Sequence, residues 1–300
     1  MIYHAFKENQ DRYLDTSKIQ PKITDIPYSD ESPRCKLDLY YPVKTQESYP
    51  LIIFFHGGAF LKGDKQRYQL FSALQGIFNG FAVASVNYRL LPEFHYLEYL
   101  KDASTAVRFL INHFETYKID KENIFLWGES AGAFLSLVVG LTGQDGGVEK
   151  LLQLPMAEEI KINGIVSWYA PTNLLKHPDM KVLGEQSLNE LKYRQQGESL
   201  QETLRRLSPI NLLTKNSPKL YIQHGIKDTV VPPEQAVELA GIASEYLSEN
   251  ELKIEYLVEG DHSTGRFSQE DNLEKIFLQL NKWLNRREKV GENTNHRTSP

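Results

Sequence analysis

Short apolar runs recurring between amphipathic stretches constrain this chain more than any other feature. Residues 51–55 form a continuous apolar run ending at a Gly pair, as in a strand buried on both faces. Residues 81–86, 124–127, 164–168, 220–223 and 254–258 read the same way. Helix-period segments lie between them. After Lys101, the residues Ala103, Ala106, Val107 and Leu110 share one face, and towards the C-terminus Leu273, Ile276, Phe277, Leu280, Trp283 and Leu284 keep the helical period. This alternation predicts an α/β fold, a mainly parallel central sheet with helices on both faces.

The chain has 300 residues, a length that α/β architectures reach as one domain, and its 41% hydrophobic residues supply a sizeable core. We expect a single domain over residues 1–285. Its first part, residues 1–50, is a polar, turn-rich arm in which 36–41 forms an antiparallel edge strand beginning the sheet. Residues from about 143 to 216 contain the strand at 164–168, a helix within 188–207, and cap-like excursions where a lid or substrate wall would sit. Residues 286–300 are polar and aperiodic, the composition of a disordered tail.

A formal net charge of -5 argues against a nucleic-acid footprint, which needs a basic face. No apolar run reaches the roughly 18 residues of a membrane span, and the first ten residues lack the apolar region of a secretory signal. Cys35 is the only cysteine, so no intrachain disulfide is possible. These features suit a cytoplasmic protein without membrane or nucleic-acid partners.

The apolar run at 124–127 is followed by Gly128-Glu129-Ser130-Ala131-Gly132 and then by Phe134, Leu135, Leu137, Val138 and Val139. Strand, sharp turn and helix are the context that a G-x-S-x-G nucleophile turn requires. Its glycines permit close backbone approach, while the helix end offers the Ala131 N–H and a field favourable to developing negative charge. After the run at 51–55 comes His56-Gly57-Gly58-Ala59-Phe60, a turn that brings further N–H donors towards Ser130. Gly58 and Ala59 are the preferred oxyanion donors, with Gly57 open because sequence leaves the register undetermined. His56 is read as a brace within that loop.

Serine is a poor nucleophile until a base removes its proton, and neutral imidazole suits that task. Asp228 follows the strand at 220–223, and His262 follows the strand at 254–258, giving the order Ser, Asp, His of hydrolases built on such a sheet. Asp261 is the competing acid; adjoining His262, it suits the turn beside it. His224, at a strand end beside Gly225, suits packing or hydrogen bonding.

With these motifs in place, the chain resembles the hormone-sensitive-lipase-like and acetyl-esterase branches of the α/β-hydrolase superfamily. The likeness spans about 36–283 and includes Leu37-Asp38-Leu39-Tyr40, Gly63-Asp64-Lys65 and Asn87-Tyr88-Arg89-Leu90. It implies the α/β-hydrolase fold with a small cap or lid insertion, and a carboxylester hydrolase with no metal or organic cofactor. The Gly63-Asp64-Lys65 element looks like that of members acting on acetylated carbohydrates or short acyl esters. Two departures are Ala59, where many relatives carry a third glycine, and Glu129, where aspartate or glutamine is commoner; the latter leaves open local hydrogen bonding or solvent exposure.

Tyr88 and Arg89 are expected to brace the loop beneath the site. Phe60, Trp168 and Tyr169, beside strand ends at the expected active face, are candidates for a substrate wall. The expected partner is a small ester, and a homo-oligomer is compatible with the sequence. Two other readings stay open: an arylformamidase or peptidase using the same residues, and an inactive small-ligand binding module.

Overall fold

The computed structural model describes residues 13–94, 97–177, 198–263 and 265–285. Among them, one eight-stranded sheet runs in the order β1-β2-β4-β3-β5-β6-β7-β8. These strands are Lys22–Pro27 (β1), Lys36–Tyr40 (β2), Tyr49–Phe55 (β3), Ala82–Val86 (β4), Ile119–Glu129 (β5), Gly164–Trp168 (β6), Lys219–Gly225 (β7) and Leu252–Leu257 (β8). β3 to β8 pair in parallel, while β1 and β2 are antiparallel to their neighbours. The helices are Leu70–Leu74 (α1), Glu98–Asn112 (α2), Ala131–Thr142 (α3), Gly147–Leu151 (α4), Leu200–Leu207 (α5), Glu234–Ala243 (α6) and Glu270–Trp283 (α7).

Two-residue alternation divides the core. Ile124 and Leu126 of β5 point into one apolar cluster with α2, α3 and α6; Phe125 and Trp127 point into a second with α1 and α7. The expected stripe of Ala103, Ala106, Val107 and Leu110 is buried completely on α2, and Leu273, Ile276, Phe277, Leu280 and Trp283 are buried on α7. The inner parallel strands β3 to β7 read as continuous apolar runs because both faces are covered, whereas β8, expected at 254–258 to be buried on both faces, lies at the sheet edge with Ile254, Tyr256 and Val258 exposed.

Two boundaries differ from expectation. The antiparallel strand at 36–41 is present as β2, but β1 lies outside it and takes the edge. β1 escapes a hydrophobicity reading because all but Ile26 among its residues are at least partly exposed. The helix expected within 188–207 is seen as α5, which starts at Leu200 behind a Ser199 capping box; residues 178–197 and the tail at 286–300 lie outside the described residues. No helix among the described residues is long and apolar enough to cross a membrane.

Candidate active site

Ser130 stands between β5 and α3 with φ 52° and ψ -117°, a left-handed backbone setting that turns the chain abruptly. The flanking glycines are demanded by close approach. A Cβ on Gly128 would lie 2.1 Å from the Gly132 carbonyl oxygen, and one on Gly132 would lie 2.0 Å from that of Phe55. The turn thus packs directly against the end of β3, where the next loop begins. A Cβ on Gly57 would lie 2.9 Å from the Glu129 carbonyl oxygen and 3.5 Å from Ser130 Cβ.

That loop is held open by unusual backbone and a rigid floor. Gly58, Ala59 and Phe60 have φ of 124°, 53° and 61°. His56 Nδ1 lies 2.8 Å from the Gly57 carbonyl oxygen, and Tyr88 stacks on the imidazole at 4.4 Å while its hydroxyl donates to the His56 carbonyl at 2.7 Å. Burial lowers the His56 pKa to about 4, so this ring is neutral. Arg89 lies alongside, buried and bonded in a fork to Asp102. Gly58 and Ala59 line the same cavity as Ser130. Ala131 is the first residue of α3, whose leading N–H groups have no partner within the helix.

The loops after β7 and β8 are joined by backbone bonds from Ile226 to Leu257 and from Lys227 to Gly260, at 3.1 and 2.9 Å. This brings Asp228 and His262 together. Asp228 Oδ2 is 2.8 Å from His262 Nδ1, and His262 Nε2 is 3.0 Å from Ser130 Oγ. A proton on Nδ1 donated to Asp228 leaves Nε2 free to accept from the serine hydroxyl. Asp228 Oδ1 accepts from the N–H groups of Val230 and Val231, both at 2.9 Å. Burial alone would raise the Asp228 carboxyl, but the bonds from His224 and His262, with the Val231 N–H, hold it below the ordinary carboxylate range. Asp261 is exposed.

His224 is a neighbour of the acid. Its Nε2 lies 2.8 Å from the Val231 carbonyl oxygen and 3.2 Å from Asp228 Oδ2. It braces the loop and one carboxylate oxygen together, the hydrogen-bonding role its position suggests.

Glu129 is buried, which resolves the choice between solvent and local bonding. The Tyr169 hydroxyl donates to its Oε2 at 2.8 Å, and the Tyr169 ring stands edge-on to His262 at 4.7 Å. Burial pushes the Glu129 carboxyl up to about 8, against the pull of hydrogen bonds from Tyr169 and Gln69. Sequence reasoning missed this link. Strand alternation from Trp127 was the available signal that Glu129 faces inwards.

A cavity of about 250 Å³ opens over Ser130 and His262, with Tyr169, Lys62, Arg67 and Gln69 in its walls. Tyr169 is the member of the expected substrate wall that reaches it. Phe60 and Trp168 are corrections: neither lines the cavity. Phe60 stacks on Tyr99 at 4.0 Å, and Trp168 packs edge-on to Trp127 at 5.2 Å in the opposite core. Trp168 does end β6, whereas Phe60 lies in the loop five residues after β3, and each side chain turns into an apolar cluster. Asp64 and Lys65 also turn inwards: Asp64 accepts from Asn87 Nδ2 and the Gln66 N–H, and Lys65 pairs with Asp38 at 2.8 Å. Among the described residues, no group of three or more His, Cys, Asp or Glu side chains is arranged to hold a metal ion.

A model of the BD-FAE family matches residues 37–242, more than half of the chain. The chain belongs to the BD-FAE family. The BD-FAE match takes in Ser130 and Asp228 and ends before His262. Esterase LipC of Mycobacterium tuberculosis is 27% identical over 190 residues, 62% of this chain and 46% of that protein. Probable isoprenylcysteine alpha-carbonyl methylesterase ICMEL1 of Oryza sativa subsp. japonica is 27% identical over 219 residues, 69% of this chain and 49% of that protein. This BD-FAE chain spans about half the length of the curated relatives it matches. A solved structure, a truncated form of carbohydrate esterase from gut microbiota, aligns with a TM-score of 0.74 at 22% identity, covering 91% of this chain and 99% of that one. The fold is the α/β-hydrolase fold.

Proposed function

We propose that this protein is a serine carboxylester hydrolase acting on small or short-acyl esters, acetylated carbohydrates among them. The observation that carries the reading is the continuous relay from Asp228 through His262 to Ser130, with contacts of 2.8 and 3.0 Å, opening on a cavity. Ser130 attacks the ester carbonyl as His262 Nε2 takes its proton. The N–H groups of Gly58, Ala59 and Ala131 receive the oxyanion, each donor of this kind being worth about 2.7–4 kcal/mol. His262 then protonates the departing alcohol, and water releases the acyl group with His262 again as base.

The relatives named above as esterases support the reaction class. The cavity of about 250 Å³ supports a small substrate, since sites for drug-sized ligands run from roughly 300 to 1,000 Å³. Intact mass after fluorophosphonate treatment tests the nucleophile, and p-nitrophenyl esters from acetate to octanoate with acetylated sugars test the substrate. Stoichiometric labelling lost in Ser130→Ala, with rates falling as the acyl chain grows, is expected. Folded wild-type protein that neither labels nor hydrolyses any of these esters would overturn the reading.

A further inference from the structure

The loop that carries the expected oxyanion donors holds a strained backbone. Ala59 and Phe60 are not glycines, yet their φ values are 53° and 61°. Such settings persist only where the surrounding structure over-determines them. The loop closes on itself first, the N–H groups of Leu61 and Lys62 donating to the Gly58 carbonyl at 3.0 and 3.1 Å. It then returns to its own base, where a Cβ on Gly63 would stand 2.1 Å from His56 Nδ1.

Arg34 reaches this return from a distant part of the chain. Its Nη2 donates to the Gly63 carbonyl oxygen at 2.5 Å, and its Nε donates to that of Tyr88 at 2.8 Å. One guanidinium therefore joins the exit of the loop to the residue that stacks on His56 and donates to the His56 carbonyl. Both bonds have a charged donor and leave one rigid plane, so they fix direction as well as distance.

Arg34 is itself held in place. It lies in the turn between β1 and β2, where the Tyr28 N–H donates to the Cys35 carbonyl at 3.1 Å, the Cys35 N–H to the Ser32 carbonyl at 2.9 Å, and the Arg34 N–H to Ser32 Oγ at 3.2 Å. The Tyr28 hydroxyl docks this turn on the Asn87 carbonyl at 2.6 Å, and the Asn87 N–H donates to the Lys36 carbonyl at 3.0 Å. A polar, turn-rich segment thus carries a strut to the loop beside Ser130. Gly58, Ala59 and Gly63 line the cavity, and Arg34 stands behind them, outside its lining.

We infer that Arg34 is a positioning residue for the esterase reaction: by clamping Gly63 to Tyr88, it holds the Gly58 and Ala59 N–H groups where the oxyanion forms. This assignment rests on the esterase reading above and adds to it a residue that never meets the substrate.

Steady-state kinetics on p-nitrophenyl acetate test it, with phenethyl trifluoromethyl ketone as a probe whose hemiketal oxygen, formed by addition of Ser130, occupies the oxyanion site. Arg34→Ala should lower kcat by roughly 10²-fold or more, the scale of a lost oxyanion donor, while KM changes by less than about threefold. Affinity for the ketone should weaken by the same factor as kcat/KM, because the probe shares the transition state's need for those donors. Arg34→Lys keeps the charge but cannot span both carbonyls from one plane, so its losses should be smaller and still run in parallel. Melting temperatures establish that each variant is folded; should Arg34→Ala not fold, Arg34→Lys carries the comparison. Wild-type kcat in the folded variants would overturn the assignment, and so would a loss of kcat without a parallel loss of ketone affinity. Wild-type protein that neither hydrolyses the ester nor takes fluorophosphonate would overturn the esterase reading itself, and the role of Arg34 with it.

Discussion

The Tyr169 hydroxyl donates to Glu129 Oε2 at 2.8 Å, tying the residue before Ser130 to the ring that stands edge-on to His262. One buried carboxyl therefore touches both sides of the proposed serine–histidine pair through its own strand and through Tyr169.

Its protonation sets a pH window. The Glu129 carboxyl is raised from 4.5 to about 8 by burial. Between those values the unfolded chain has released this proton and the folded chain retains it, so stability falls as pH rises. The contribution is full below about 4.5 and lost above about 8. Glu129→Gln removes the titrating group, and its stability relative to wild type should rise from pH 5 to pH 8, by an amount on the order of a few kcal/mol. Urea midpoints of both proteins at the two pH values measure this. Parallel curves would mean that Glu129 is ionised throughout.

The same group should shape the alkaline limb of activity. Above pH 8, ionised Glu129 places negative charge beside Ser130, where attack develops another. Wild-type kcat/KM for a neutral ester should decline there, whereas Glu129→Gln should hold its plateau to higher pH. Identical alkaline limbs would assign the decline to another group.

Asp228 and His224 should separate by magnitude. Asp228→Asn keeps the shape but favours the wrong imidazole tautomer on His262, and a loss in kcat of roughly 10⁴-fold is expected. His224 touches Asp228 at 3.2 Å without touching His262 or Ser130 in the contacts described above. His224→Gln should cost about 10- to 100-fold, as expected of a misplaced partner. Steady-state rates on p-nitrophenyl acetate, with melting curves as the fold control, would show equal losses if His224 had a direct part in the chemistry.

Phe60 and Tyr169 were grouped by sequence and are parted by structure. Phe60 is 6% exposed and stacked on Tyr99, so Phe60→Ala should cost about 3–5 kcal/mol of stability. Tyr169→Phe keeps the ring beside His262 and removes only the hydroxyl, so it should leave packing intact and shift the pH profile through Glu129. Denaturant melts and pH–rate profiles of both variants check the pair. A Phe60→Ala protein as stable as wild type would contradict its place in the core.

That contrast shows what one sequence carries. Ser130, Asp228 and His262 stood out because their setting depends on short-range demands: glycines where a Cβ would strike backbone, and polar residues at strand ends. β3 to β7 stood out because parallel strands buried on both faces need uninterrupted apolar runs, while β8, at the second edge, is half-exposed. β1 was hidden because an edge strand buries too little to leave a hydrophobic pattern. Phe60 and Trp168 were misread because strand-end position does not determine which way a side chain turns, and two cores compete with the cavity for each aromatic. The bond from Tyr169 to Glu129 depends on register between strands distant in sequence, whereas that from His224 to Asp228, close in sequence, depends on how the loop after β7 folds back.

The glycines supply the sharpest test of how the turn at Ser130 is held. A Cβ on Gly132 would meet the Phe55 carbonyl oxygen at 2.0 Å and that of His56 at 2.6 Å, and both contacts are to backbone that cannot swing aside. Gly132→Ala must therefore push α3 away from the end of β3, displacing Ser130 from the loop that carries Gly58 and Ala59. A displacement of about 1 Å costs on the order of 10²-fold in rate, so fluorophosphonate labelling of the variant should slow at least that much. Gly241, exposed on α6 with nothing within 4 Å of an added Cβ, is the matched control. Gly241→Ala should stabilise the protein by roughly 0.5–1 kcal/mol and leave the labelling rate unchanged. Labelling at the wild-type rate in Gly132→Ala would mean that Ser130 is activated without close packing of its turn against β3.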